Sequence, residues 1–302
     1  MVRSKYRRFR HHAPGDVVFD VILYVFIALF LVFILYPLLY ILAASFTEPE
    51  DVYAGHISLF IKNFSITAYK RVFANEAIWH GYLNTIYYSF LMVIAVIGFN
   101  FPASYAMSRK ELRGRTFFII FFCIPLYFGG GIVPLYVLVR GIGLYNNVLA
   151  LILPYAFSFS NVVLIRTYMT TAIPEDVQEA AKIDGAGYTR IFFQIVLPLS
   201  GPILSIIALF ALVGMWNSYY SALVFLSDES KNPLQLVLRS ILLEQDVSDM
   251  TGSDTSTTYE QALLAEALKY SSIVVSTLPI LVIYPFFSRF FEKGIMVGSL
   301  KG

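Results

Sequence analysis

The sequence Glu179-Ala-Ala-Lys-Ile-Asp-Gly-Ala-Gly-Tyr-Thr-Arg-Ile-Phe-Phe-Gln-Ile-Val-Leu-Pro198 is a polar, helix-forming stretch between two long apolar runs. Pro174 precedes it and favours a first helical turn, in which Glu175 and Asp176 complement the helix dipole. Gly185 falls where this short helix should end, because glycine readily adopts the left-handed conformation that follows a helix C-cap. A second amphipathic helix should then begin and end at the closing proline. The pattern predicts two short helices joined at a glycine, a rigid projection to which another protein can bind.

The composition of the 302-residue chain indicates a membrane protein. Hydrophobic residues make up 58% of the sequence and charged residues 14%, with a mean hydropathy of +0.68, whereas soluble domains normally carry about 25% charged residues. Six stretches reach the roughly 20 residues that a membrane-spanning helix needs. They are residues 17–44, 83–107, 116–139, 148–168, 202–226 and 270–287. The sequence therefore predicts an all-α membrane protein with six transmembrane helices.

The apolar runs suggest one membrane bundle rather than two soluble domains. The first span follows a basic leader and is too long for a signal-peptide core, so we expect a retained anchor. The expected organisation is a cytoplasmic N-terminal segment at 1–16, a transmembrane domain at 17–302 with its core at about 79–290, outer loops at 46–80 and 227–266, and an inner loop at 170–198. The outer segment 227–266 contains an acidic tract, which is either a solvated linker or a docking arm for an external partner.

Lysine and arginine residues are distributed unevenly between the two sides of the predicted spans. With the N-terminus inside, the inner segments carry fifteen of the 22 basic residues, among them Arg109, Lys110 and Lys182. Basic residues favour the cytoplasmic side of a membrane. This bias and the even number of spans predict that both termini and the 170–198 loop lie in the cytoplasm. The basic residues near Arg7 and Arg113 lie beside spans and serve this orientation, so no nucleic-acid partner is expected.

The motifs that this sequence lacks argue against several functions. No Gly-x-x-x-x-Gly-Lys-Ser/Thr loop is present, so the chain lacks the usual means of binding a nucleotide. His-Glu-x-x-His and Gly-x-Ser-x-Gly are also absent, which disfavours a membrane enzyme. Proton- and ion-driven carriers usually keep an acid or base deep in a span, and no predicted span has one, which disfavours a channel or secondary carrier not driven by ATP. The single cysteine, Cys123, excludes an internal disulfide and a thiolate metal cluster.

Uncharged polar and aromatic residues remain inside the predicted spans. The fifth span holds a cluster of Trp216, Asn217, Tyr219 and Tyr220, and the second span holds Asn84, Asn100, Ser104 and Tyr105. Amide and phenol groups can bind sugar hydroxyls, and aromatic faces can stack on sugar C–H surfaces. The alternative is that these groups join neighbouring helices, as asparagine and serine often do in membranes. In a continuous helix Trp216 would share a face with Tyr219 or Tyr220, and Asn217 would be turned about 100° away. We therefore expect only part of the fifth-span cluster to line a substrate path.

The spacing around Glu179 also resembles the signature loop of the permease subunits of ABC importers. This loop has Glu-Ala-Ala, a glycine four residues after the second alanine, and Ile-x-Leu-Pro beginning ten residues after the glycine. The matching residues are Glu179, Ala180, Ala181, Gly185, Ile195, Leu197 and Pro198. The fuller form Glu-Ala-Ala-x-x-Asp-Gly-Ala, which includes Asp184, is similar to the carbohydrate branch of the family. The C-terminal Gly-Ile-Met-Val-Gly-Ser-Leu-Lys-Gly resembles permeases for oligomeric or complex sugars.

The resemblance implies the type I ABC importer permease fold with a cytoplasmic coupling helix at the matching residues. It implies a location in a bacterial cytoplasmic membrane and a function in sugar import by alternating access. The implied partners are a second, homologous permease subunit, two ATP-binding cassette subunits, an extracytoplasmic solute-binding protein and membrane lipid. Mg-ATP would be bound by the partner subunits, so this chain is expected to have no catalytic residue, metal or cofactor of its own.

Overall fold

The computed structural model describes the backbone of residues 14–250 and 256–299, and the side chains of residues 15–243 and 263–287. Within these ranges the regular elements are helices, and one isolated bridge joins Thr47 to Phe64. The chain divides into two units, residues 1–70 with 255–274 and residues 71–254 with 275–302. The prediction of an all-α fold is confirmed for the part of the chain that the structure describes.

Fifteen α-helices follow one another along the described ranges. They are α1 (Pro14–Ser45), α2 (Pro49–Tyr53), α3 (Thr67–Ala74), α4 (Glu76–Ser108), α5 (Arg115–Tyr127), α6 (Ile132–Gly141), α7 (Leu149–Ala156), α8 (Phe159–Ala172), α9 (Glu175–Ile183), α10 (Tyr188–Ile191), α11 (Leu197–Leu199), α12 (Gly201–Trp216), α13 (Tyr220–Phe225), α14 (Leu234–Met250) and α15 (Ser256–Ser299). A π-helical turn, Phe192–Val196, joins α10 to α11, and a short 3-10 turn, Glu229–Lys231, precedes α14.

Three straight segments in the described ranges are long and apolar enough to cross a membrane, namely Gly15–Ser45, Glu76–Ser108 and Leu263–Phe287. Three further spans result if each of three bent helix pairs counts as one. The pair α5 and α6 is bent by 115°, the pair α7 and α8 by 51°, and the run from α10 to α12 by 79°. The six predicted spans therefore correspond to between three and six candidate spans.

Three predicted spans are interrupted, and one of them is residues 148–168, where α7 ends at Ala156 and α8 begins at Phe159. Residues 116–139 were expected to form one helix, but α5 ends at Tyr127 and the chain turns through a glycine triplet, in which Gly131 has a φ of +78°. This conformation favours glycine, so the triplet ends the helix rather than merely kinking it. Residues 202–226 were also expected to be continuous, but α12 ends at Trp216 and α13 begins only at Tyr220.

The predicted outer segment 227–266 contains helix at residues 234–250 and again from residue 256. The helix α14 ends at Met250 and α15 begins at Ser256, while residues 251–255 of the acidic tract lie outside the described residues. The sequence of α14 mixes polar residues with buried Leu234, Val237 and Leu238, and these apolar side chains stabilise it against the rest of its unit. Hydrophobic anchoring therefore overrides the polar composition of this segment.

In the second unit the long helix α4 is central and contacts α7, α8, α12 and α14. Its Gly81 lets the α14 backbone approach closely, since an added Cβ would lie 3.0 Å from the Cα of Leu234. Thr85 accepts a hydrogen bond from the Leu234 amide at 2.8 Å. The largest fully buried side chains of this unit include Phe101 and Phe225.

The polar residues of the second predicted span join helices or loops. Asn100 Nδ2 donates to the carbonyl of Ala156 at 2.7 Å, and its Oδ1 accepts from the Ser158 amide at 3.0 Å. Ser104 Oγ donates to the carbonyl of Val162 at 3.2 Å. Asn84 Nδ2 donates to the carbonyl of Ser230 at 2.8 Å. These three residues therefore hold α4 to its neighbours, which is the interhelical alternative weighed above.

The first unit contains α1, whose described residues are almost all exposed up to Leu42. After α1 the predicted outer loop is folded around aromatic side chains. Tyr69 Oη donates to Ser45 Oγ at 2.8 Å, and the Phe46 ring lies 4.9 Å from the Tyr69 ring and 5.5 Å from the Phe64 ring. This segment is therefore an ordered part of its unit.

Candidate coupling hairpin and membrane cavity

Residues 174–199 form a projecting element that we call the α9–α10 hairpin. Pro174 is the N-cap of α9 rather than its first residue, and the helix ends at Ile183. Gly185 follows with a φ of +81°, its amide donates to the carbonyl of Lys182, and the Ala186 amide donates to that of Ala181. These two bonds are those of a Schellman motif, which fixes the exit direction of the chain. The prediction that Gly185 ends the helix is confirmed.

The α9 helix has a buried and an exposed face. Gln178 is 2% exposed, and Ala181 is half-buried against the hydrophobic core. On the other face Glu179, Ala180, Asp184 and Gly185 are exposed. Ile183 is 87% exposed, and Val177 is also exposed on the same helix. These exposed apolar side chains, beside small and acidic residues, leave this face of α9 open to contact by another protein.

Polar bonds attach α9 to residues 109–111, which connect α4 to α5. Arg109 Nη1 donates to Gln178 Oε1 at 2.5 Å, while its guanidinium lies 5.0 Å from the centre of the Tyr105 ring. Lys182 Nζ lies 2.8 Å from Glu111 Oε1. The hydrogen bond from Lys182 lowers the pKa of Glu111, and the same bond raises the pKa of Lys182. Because Gln178 is buried, the bond from Arg109 is the best-shielded connection between α9 and α4.

The second half of the hairpin packs inward. Ile191, Phe192 and Val196 are buried, and Ile195 and Leu197 are half-buried against the same core. Pro198 is exposed. Ile195 and Leu197 were predicted from the sequence to contact an ATPase. In the structure they pack against the core and support the hairpin instead of forming its exposed surface. The sequence analysis does not predict the π-helical turn at Phe192–Val196.

A cavity of about 460 Å³ lies among α4, α7, α8, α12 and α13. Asn217, Tyr219 and Tyr220 line it, and the sequence analysis had singled out all three. Tyr155 of α7 and Asn161 of α8 also line it, and both were missed because their helices come from another part of the chain. The break between α12 and α13 brings Asn217 and the two tyrosines to one side, which a continuous helix would not do.

Trp216 lies outside this cavity. Its side chain is 2% exposed, and its Nε1 donates to the carbonyl of Ser276 in α15 at 3.0 Å. Its ring centre is 6.1 Å from that of Tyr82. Trp216 therefore joins α12 to α15 and α4, whereas the sequence analysis had placed it with the residues near a substrate path.

The cavity offers hydrogen-bonding groups and aromatic faces but no formal charge on any described residue that lines it. Asn217 Nδ2 donates to the carbonyl of Val213 at 2.9 Å, which leaves its Oδ1 as an acceptor. The guanidinium of Arg239 lies 5.4 Å from the centre of the Tyr219 ring, so one cation contacts the ring of a residue that lines the cavity. Such a surface can bind hydroxyl groups and stack against saturated rings.

These features define an all-α membrane protein with an exposed, glycine-terminated hairpin and, among its helices, a cavity that has amide and phenol groups in its lining. Residues 103–297 match the family described as binding-protein-dependent transport system inner membrane component. The chain belongs to this family. It is therefore an integral membrane subunit of an ABC transport system, as the resemblance of the Glu179 loop implied.

Similar proteins span the whole chain. It is 33% identical over 292 residues to Protein LplC of Bacillus subtilis (strain 168), covering 97% of this chain and 98% of LplC. It is also 33% identical over 284 residues to the polygalacturonan/rhamnogalacturonan transport system permease protein YtcP of the same organism, covering 94% and 98% of the two chains. Its fold is similar to the crystal structure of a bacterial ABC transporter involved in the import of the acidic polysaccharide alginate, with a TM-score of 0.82, 29% identity, and coverage of 92% and 98%.

Proposed function

We propose that this chain is a permease subunit of an ATP-driven, binding-protein-dependent importer of oligosaccharides, and that it forms half of the translocation pathway. The observation that carries the proposal is the exposed face of α9, from Glu179 to Gly185, held on a buried and hydrogen-bonded base. A surface that transmits force must be rigid where it is attached and open where its partner binds. The α9–α10 hairpin meets both requirements.

In this proposal the exposed face of α9 docks into an ATP-binding cassette subunit. Ala180 allows close approach of the partner backbone, Glu179 accepts hydrogen bonds from basic or amide groups, and Gly185 sets the angle of the connection to α10. Asp184 and Pro198 extend this surface at its edges, and Ala181, Ile195 and Leu197 hold its shape from within. The contact involves no covalent chemistry, and the partner subunits bind and hydrolyse Mg-ATP.

Movement of the hairpin reaches the cavity through α4. Arg109 follows α4 and bonds Gln178 of α9, while Asn100 and Ser104 of α4 bond α7 and α8. Met92 and Val96 of α4, one to two turns before Asn100, line the cavity. Closure of the ATPase subunits would therefore tilt α4 and change the access of the cavity to either side of the membrane.

The full assembly that we propose contains a second, homologous permease subunit, two ATP-binding cassette subunits and an extracytoplasmic solute-binding protein, in a bacterial cytoplasmic membrane. We assign the outer segment 227–266, now seen as α14 and the start of α15, to contact with the solute-binding protein. Deletion of residues 246–258 should weaken binding-protein-stimulated ATP hydrolysis and leave basal hydrolysis unchanged. If the binding protein stimulates ATP hydrolysis equally in this variant and in the wild type, the outer segment does not contact the binding protein.

For the cargo we propose a neutral or mildly anionic oligosaccharide. The amide and phenol groups of Asn217, Asn161 and Tyr220 suit sugar hydroxyls, and the lack of charge on the cavity lining disfavours a strongly charged solute. One similar protein is a polygalacturonan/rhamnogalacturonan transport system permease, and a similar structure is that of a transporter for the acidic polysaccharide alginate. Arg239 contacts the ring of Tyr219 and is the basic group that we assign to bind a sugar carboxylate near the cavity.

Topology provides the direct test. We propose that both termini and the α9–α10 hairpin are cytoplasmic, on the basis of the lysine and arginine distribution. A cysteine at position 185 should react with an impermeant thiol reagent in inside-out vesicles and not in intact cells. The same reagent should label a cysteine at exposed position 229, in the predicted outer segment, in intact cells. Efficient labelling of position 185 in intact cells would exclude contact with an ATPase, and a channel or carrier not driven by ATP would then be favoured.

A further inference from the structure

Two arginines that have no acidic partner among the described residues lie beside the end of α4, and the proposed transport function gives neither of them a role. Arg115 is the first residue of α5, and its Nε donates to the carbonyl of Met107 at 2.9 Å. Met107 packs in one hydrophobic cluster with Phe159 and Val162 of α8. Arg166 follows Val162 by four residues and so lies on the same side of α8. The fold thus places Arg115 and Arg166 in the same region, on either side of the Met107 cluster.

The Nε atom of Arg166 is buried and has no hydrogen-bond partner within the described residues. Burial has the larger effect on the charge of Arg166, and the like charge of Arg115 adds a smaller one. A charged donor that is shielded from water without a partner is costly, and a neighbouring like charge raises the cost. Both residues keep some exposure, so an anion that reaches their exposed parts can offset this cost.

The acidic residues nearest in the chain are already engaged. Glu111 bonds Lys182, and Glu175 lies 3.4 Å from Lys110. The sequences of α5 and α8 contain no aspartate or glutamate, and the only one in α4 is Glu76 at its other end. Among the described residues, no ion pair involves either Arg115 or Arg166. The missing anion must therefore come from outside this part of the chain.

The surroundings of the pair suit a lipid. The helix α5 has no buried residue, and Phe117, Ile120 and Phe121 are among its exposed apolar side chains. Arg166 lies six residues before the end of α8, which is about 9 Å along the axis. An arginine side chain at this depth can reach the headgroup layer. Basic pockets between transmembrane helices near a membrane surface are typical sites for anionic headgroups.

We propose that Arg115 and Arg166 form a binding site for the phosphate of an anionic phospholipid, with the acyl chains lying along the apolar surface of α5. The planar guanidinium of Arg166 can donate two parallel hydrogen bonds to phosphate oxygens. The lipid would fix α5 against α8 beside the hairpin. The site is independent of the cargo and of ATPase binding, and it would exist even if the proposed transport function were wrong.

Native mass spectrometry of the full chain in detergent, with added phosphatidylglycerol or phosphatidylcholine, tests this site. The wild-type chain should retain phosphatidylglycerol preferentially. Arg166→Gln should lower its apparent affinity for phosphatidylglycerol about fivefold, the effect of one basic group near a membrane surface. The affinity of Arg166→Lys for phosphatidylglycerol should lie between those of the wild type and of Arg166→Gln. Binding of phosphatidylcholine should not change. The matched control is Arg140→Gln, which removes an exposed arginine of α6 and should leave lipid preference unchanged.

Further measurements separate the lipid from other anions and from a structural role. Soluble glycerol phosphate at millimolar concentration should not displace phosphatidylglycerol, because the acyl chains contribute to binding. In phosphatidylcholine alone, Arg166→Gln should unfold at the wild-type temperature or above, since it removes an unpartnered charge. Unchanged phosphatidylglycerol binding by Arg166→Gln, or displacement by glycerol phosphate, would overturn the proposal. Loss of a second permease subunit from the purified complex without loss of lipid would assign the arginines to a protein contact instead.

Discussion

The α9–α10 hairpin and the cavity segment at residues 217–221 both form where a helix ends, but the two helices end in different ways. In the hairpin, Gly185 takes a φ of +81° and two backbone hydrogen bonds complete a Schellman motif. In the cavity segment, α12 ends without a glycine, and the side chain of Asn217 bonds back to the carbonyl of Val213. The first surface is convex and locally encoded, while the second is concave and depends on α4, α7 and α8.

The largest expected effect comes from adding a side chain at Gly185. Gly185→Val forces a β-branched residue into the left-handed region, which is strained although no atom lies within 4 Å of the added Cβ. We expect at least a tenfold loss of sugar uptake with normal membrane insertion. The matched control is Gly187→Val, because Gly187 has equal space and an ordinary φ of −72°. Equal uptake by the two variants would show that the exit angle of α9 does not matter.

A smaller and more selective effect is expected in the cavity. Asn217→Ala and Tyr220→Ala each remove a hydrogen-bonding group that lines it. Each should change the uptake rate severalfold and alter the preference among neutral and acidic oligosaccharides. Neither should change co-purification of the ATPase subunits. Wild-type rates and selectivity in both variants would make this segment structural and place the cargo site elsewhere.

These two regions also show which features of the structure the sequence predicts and which it does not. The caps, the glycine and the polar face of α9 follow from local rules, and the apolar runs predicted a helical membrane bundle. The end of α12 at Trp216 could not be predicted, because residues 202–226 are apolar enough to continue as a helix. Tyr155 and Asn161 reach the cavity through the packing of α7 and α8 on α4, which no local pattern encodes. The sequence analysis does not predict α14, because the polar tract of the outer segment conceals the apolar residues that anchor this helix.

Trp216 distinguishes packing from substrate contact within one stretch of sequence. Trp216→Phe removes the hydrogen bond from the indole Nε1 to the carbonyl of Ser276. The expected cost in the free energy of unfolding is about 0.5–1.5 kcal/mol, the net contribution of one hydrogen bond. Thermal denaturation in detergent should reveal it, while the preference among sugars stays that of the wild type. A changed sugar preference at unchanged stability would instead place Trp216 on the substrate path.

The ion pair between Lys182 and Glu111 should have the smallest effect, below about 1 kcal/mol, because both side chains are exposed and screened by salt. The pKa of Glu111 is lowered in the folded chain, so its contribution is present above its ordinary pKa and is lost as the pH falls through the lowered value. Amide exchange in α9 should therefore quicken slightly in Glu111→Gln at neutral pH. The difference from wild type should vanish at high salt, and a difference that persists would point to a contact other than this ion pair.

The central claim is that the exposed face of α9, rather than the cavity segment, binds the ATPase. A photoreactive amino acid placed at Ile183, which is 87% exposed, tests it in membranes that contain the whole transporter. The same probe at Tyr220, in the cavity, serves as the comparison. We predict a cross-link to the ATP-binding cassette subunit from position 183 and none from position 220. A complete absence of ATPase adducts from position 183, in a complex that still contains the ATPase, would contradict the account.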